Sequence, residues 1–74
     1  MMMSDKEAIN TLGRAILRGA HLRVDTVIYP PRNDKSSDGL LRYRLWYLGE
    51  IIADAETLGH LVMVAKSKGI IGEQ

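Results

Sequence analysis

The stretch Leu40–Ile71, LLRYRLWYLGEIIADAETLGHLVMVAKSKGII, decides the fold. Over Leu40–Tyr47 two sets alternate: Leu41, Tyr43, Leu45 and Tyr47 on one side, Arg42, Arg44 and Trp46 on the other. A period of two is that of a strand. Further on, Ala55, Leu58, Leu61, Val62 and Ala65 recur at helical spacing, and the change of period is placed at Asp54. Between the two, Leu48-Gly49 reads as a tight reversal, followed by a short strand over about Glu50–Ala53. Asp54 is expected to cap the helix, with Ala55 and Glu56 in its first turn. Lys66 and Lys68 suit the negative end of the helix dipole. Gly69 is expected just past the helix end, with Ile70 folding back as in a Schellman motif.

Toward the N-terminus, Leu22–Tyr29 is rich in β-formers and reads as a strand. Its alternation turns Leu22, Val24, Thr26 and Ile28 inward and Arg23, Asp25, Val27 and Tyr29 outward. Pro30-Pro31 ends it, because proline cannot donate to a ladder. Residues 30–39 are expected to form a mobile polar loop, with Asp38-Gly39 as a turn. Ser4-Asp5-Lys6-Glu7 has the form of a capping box opening a first helix. The stripe Ile9, Leu12, Ile16 and Ala20, with Gly13 beside it, is its expected buried face, and Gly19 its stop.

The element order is thus α-β-β-β-α. The expected fold is α+β: two layers, an antiparallel three-stranded sheet with both helices packed on one face. The chain is expected to form a single small domain over 1–74, with residues 1–3 and 72–74 frayed. The Arg42, Arg44 and Trp46 side then becomes the open face of the sheet, joined by Arg23, Tyr29, Val27 and Ile52.

This order resembles that of double-stranded RNA-binding domains. The likeness implies a phosphate contact at the start of the last helix, which in that family is rich in Gly and Lys. Here the matching stretch is Gly49-Glu50-Ile51-Ile52-Ala53-Asp54-Ala55-Glu56, which is acidic and would repel a phosphate backbone. The arm-binding domains of phage-type integrases are similar in topology and read DNA with the sheet. That likeness would place Arg42 and Arg44 at the contact. Both likenesses concern topology, which does not by itself give function.

Composition narrows the classes. The chain has 74 residues and a net charge of +1. A domain of this size buries only about 60% of the surface its unfolded form exposes, so self-association is a natural source of stability. No cysteine is present, which excludes disulfides, thiolate metal sites and cysteine catalysis. This fits a reducing compartment, and the cytoplasm is the expected location. No apolar run is long enough to span a bilayer, so no membrane role is expected. Residues 14–44 hold seven basic and three acidic side chains, so the middle of the chain is basic and its ends are acidic.

Motifs for chemistry are thin. His21 and His60 lack the paired spacing of a zinc site, so no metal is expected. Ser36 and Ser37 have no neighbouring base. Glu50, Asp54 and Glu56 cluster, but helix capping explains the last two. No phosphate loop occurs. The expectation is a non-enzymatic interaction module without cofactor, binding a protein partner or itself. Arg42, Arg44, Trp46, Tyr29 and Arg23 would form the partner-binding surface, since Arg and aromatic residues make interaction hot spots. Met63 and Val64, beside each other on the last helix, are a candidate dimer surface. The alternative is a nucleic-acid-binding regulator using Arg23, Arg32, Lys35, Arg42 and Arg44.

Overall fold

A computed structural model describes residues 3–29 and 40–72. The order is α1 (Asp5–Leu17), β1 (Leu22–Tyr29), β2 (Leu40–Tyr47), β3 (Glu50–Ala55) and α2 (Leu58–Ser67). The three strands form one antiparallel sheet in the order β1-β2-β3, with β2 central. The fold is α+β with an open sheet, and the helices pack against each other and the sheet. The expected loop at 30–39, with Arg32, Lys35, Ser36 and Ser37, lies outside the described residues.

Local chemistry fixes α1 at both ends. The Ser4 side chain accepts from the backbone N–H of Glu7 at 3.2 Å. Its hydroxyl also donates to Glu7 Oε1 at 3.2 Å, so the acid answers the cap through its side chain rather than the Ser4 N–H. At the other end, Gly19 takes φ +99°. The N–H of Ala20 then reaches the Ala15 carbonyl at 3.0 Å and that of Gly19 reaches Ile16, a Schellman closure. The same pair of bonds closes α2, where Ile70 N–H reaches Ala65 and Gly69 N–H reaches Lys66.

α2 starts later than the sequence pattern suggests. Asp54 is not its cap: β3 runs on to Ala55, and Thr57 caps the helix by accepting from the N–H of His60 at 3.3 Å. Asp54 is held in the ladder opposite Arg44, and its side chain is engaged by arginines of β2. A register shift in β3 also overturns one assignment to the open face. Leu45 pairs with Ala53 and Trp46 with Ile51, which leaves Ile52 as the extra residue. Ile52 and Ala53 both pack against the core, and Ile51 takes the open-face place opposite Trp46.

The core is built of small and aliphatic residues. Leu45 and Leu61 are fully buried between sheet and helices, with Leu58, Val62 and Ala65 around them. Of the expected stripe, Leu12 meets this core and Ala20 packs against it, but Ala8 and Ala15 take the places of Ile9 and Ile16. Ile9 is 57% and Ile16 43% exposed. The alanines, lacking bulk beyond Cβ, let α1 lie close to α2 and β1, and this rotates the isoleucines outward. Met3 packs against the core ahead of α1. No helix among the described residues is long and apolar enough to cross a membrane.

Candidate functional site

The ladder lays the open face out in rows. Paired residues of neighbouring strands share a face. One row is Arg23–Trp46–Ile51, the next Asp25–Arg44–Asp54, and then Val27–Arg42. All five residues expected at the partner surface, Arg23, Tyr29, Arg42, Arg44 and Trp46, therefore stand on one side of the sheet. The face also carries Asp25 and Asp54, with Glu56 just beyond β3.

Side-chain bonds tie these rows into a network. The guanidinium of Arg23 lies 4.4 Å from the centroid of the Trp46 ring, a cation–π contact. Trp46 Nε1 donates to Asp25 Oδ2 at 3.1 Å. Arg44 Nη2 donates to the Tyr29 hydroxyl at 3.0 Å, and that hydroxyl donates to Asp54 Oδ2 at 3.2 Å. Arg42 Nε donates to Asp54 Oδ1, and Arg42 Nη2 donates to the Asp54 carbonyl at 3.0 Å. Arg42 also lies 3.7 Å from Glu56, and Arg44 3.6 Å from Asp54. Asp25 Oδ1 is buried without a hydrogen-bond partner among the described residues.

Among the described residues, three arginines and three carboxylates stand on or beside this face, so that part of the surface is balanced rather than basic. The hydrogen bond to Asp54 is the chief cause that raises the Arg42 guanidinium above its ordinary value. Arg44 is raised mainly by its bond to Tyr29. The Asp54 carboxyl is held below the usual carboxylate range, first by the Arg42 bond and then by that from Tyr29, against an opposing effect of burial. Bonds this exposed contribute little stability singly. Their effect here is to hold long side chains in one arrangement on a face that is half open to water.

Asp54 reads as a cap in the sequence because an acid precedes an apolar helical run, yet it belongs to β3, and Glu56 follows the strand's end. Thr57, with a hydroxyl immediately before Leu58, was the competing signal. Beside Trp46, a shallow depression is lined by His21, Leu22, Arg23, Leu48 and Gly49. On the far side of the molecule, a groove of about 440 Å³ runs between α1 and the end of α2. It has Arg14, Arg18 and Lys66 around Met3, Ile70 and Ile71, with neither a carboxylate nor a histidine among the described residues of its lining. His21 and His60 are both exposed, and among the described residues no three His, Asp or Glu side chains come together as a metal site. Met63 is exposed on α2, and Val64 beside it is half-buried. No protein-family model matches the chain, and neither a curated protein nor a solved structure matches it.

Proposed function

We propose that this chain is a non-enzymatic interaction module that docks a protein partner on the open face of its sheet. The observation that carries this reading is the network through Arg23, Trp46, Asp25, Arg44, Tyr29, Asp54 and Arg42. It fixes aromatic and guanidinium groups before any partner arrives, and a surface ordered in advance loses less entropy on binding. Arg, Trp and Tyr are the residues that carry most interface energy. The depression beside Trp46 offers a seat for one apolar anchor of the partner. Balanced charge favours a protein over a polyanion. A nucleic-acid surface gains its affinity from cations that neutralise phosphates, and Arg42 and Arg44 already face carboxylates.

A photo-crosslinking side chain tests this reading. Placed at Val27 on the open face, it should yield adducts with a partner in an extract of the source cells. The adducts should disappear when Trp46 is also changed to Ala. Placed at Ser67 on α2, it should yield none of the same adducts. Adducts from Ser67 alone, or none from Val27, would overturn the assignment of the face.

A further inference from the structure

β1 is an outer strand of the sheet, and no described strand covers its far edge. The direction of its free groups follows from one bond. His21 stands opposite Leu48 in the continued ladder, and the Leu48 N–H donates to the His21 carbonyl at 3.1 Å. In an antiparallel ladder, bonded pairs alternate with unbonded ones. Arg23, Asp25, Val27 and Tyr29 therefore bond inward to β2. The N–H and C=O groups of Leu22, Val24, Thr26 and Ile28 point out from the edge. A long apolar edge strand of this kind is a template for another strand.

The helix above this edge is unfinished in the same direction. The backbone of α1 lies close to β1 and α2 but not to β2, so α1 overlies the β1 side of the sheet. Its flank at Thr11, Arg14 and Arg18 faces the groove shared with Lys66 and Ile71 of the α2 end. At about 100° per residue, Ile9 and Ile16 lie on the opposite flank, while Leu17 points away from the buried face. Leu17 is 88% exposed, the most exposed large apolar residue described. The free strand edge and the bare apolar flank thus belong to one side of the molecule.

We infer that this side binds a second copy of the chain, β1 against β1, about a twofold axis at Val24. Charge selects the register. With Val24 opposite Val24, Arg23 stands opposite Asp25 of the second copy, and the reverse pair forms by symmetry. Both pairs lie on the open face. They bring a guanidinium of the second copy beside the Asp25 carboxylate, which within its own chain accepts from the Trp46 indole. A shift that centres the axis on Asp25 would set the two Asp25 side chains against each other, and like charges directly opposite are destabilising. Only residues 18–21 separate α1 from β1, so an axis at Val24 also lies near the C-terminal end of α1. The Ile16 side chains of the two copies then face each other above the joined strands. The product is one continuous sheet with all helices on one side and the two open faces side by side on the other. The surface proposed above for a partner is thereby doubled, yet the free edge of β1 and the apolar flank of α1 do not depend on that reading.

The test is amide exchange, with sedimentation beside it. At micromolar concentration the outward amides of Val24 and Thr26 should exchange rapidly, and at millimolar concentration slowly. The inward amides of Arg23 and Asp25 should be slow at both. Sedimentation should show a reversible dimer that Ile16→Glu or Arg23→Asp weakens roughly tenfold or more. Arg23→Asp combined with Asp25→Arg should restore it. A monomer at millimolar concentration would overturn the inference, as would a dimer indifferent to these changes or Val24 and Thr26 amides that ignore concentration. If a variant fails to fold, the exchange pattern of the unaltered chain decides.

Discussion

Arg42 holds Asp54 by both its side chain and its main chain: Nε donates to the carboxylate, and Nη2 donates to the backbone carbonyl at 3.0 Å. An arginine of the central strand thereby keeps the last residues of β3 extended, where the sequence alone suggested that a helix had begun.

The first prediction concerns acid. The Asp54 carboxyl sits below its ordinary value in the folded chain, chiefly through Arg42. A depressed folded value means that the carboxylate stabilises the fold above the unfolded value of about 4 and ceases to do so as pH falls through the folded one. Thermal midpoints measured from neutral to strongly acid pH should therefore decline below about pH 4. Asp54→Asn should lower the midpoint slightly at neutral pH and flatten the acid decline. An equally steep decline in Asp54→Asn would show that other carboxylates set it.

Trp46 gives a second prediction. Its indole donates to Asp25, and its ring receives Arg23. Trp46→Phe keeps a ring for the guanidinium and removes the donor, so it should cost about 1 kcal/mol. That is a fall of roughly 4–8 °C in midpoint for a domain of this size. Trp46→Ala should cost more but leave the circular dichroism of the native fold intact. Unfolding by Trp46→Ala would place the indole in the core and not on the open face.

A third prediction rests on backbone strain. Leu48 occupies the β2–β3 turn at φ +52° and is largely exposed. A left-handed conformation costs most L-residues about 1–2 kcal/mol, and Asn tolerates it better. Leu48→Asn should therefore raise stability by about 0.5–1 kcal/mol in a urea titration. A loss of stability would mean that the Leu48 side chain contributes packing beside Trp46.

Core truncation supplies the contrast. Leu61 is fully buried between α2 and the sheet. Leu61→Ala should cost about 2–5 kcal/mol, enough to unfold much of a domain this small. Ile9→Ala, on the exposed flank of α1, should change urea stability by no more than about 0.5 kcal/mol.

Much of this architecture is legible in the residues themselves. The alternation over Leu40–Tyr47 and the helical spacing from Leu58 give the elements and the buried sides of β2 and α2. The five side chains of the open face also follow from period-two counting, because β1 and β2 pair without interruption. What escapes is tertiary. Nothing local marks Ile52 as the extra residue of β3, since a register shift is a property of two strands together. The burial of Ala8 and Ala15 in place of Ile9 and Ile16 reflects how closely α1 approaches its neighbours, and hydrophobicity ranks the isoleucines first. Asp54 looks like a cap until the arginines across the sheet are placed beside it.

One measurement reaches the proposed function most directly. Trp46 is the only tryptophan of the chain, so labelling with 5-fluorotryptophan gives a single fluorine signal from the open face. In an extract of the source cells, docking of a protein on this face should shift or broaden that signal. Unlabelled chain added in excess should restore it. A fluorine signal unchanged in the extract, from a chain that remains folded, would contradict the account.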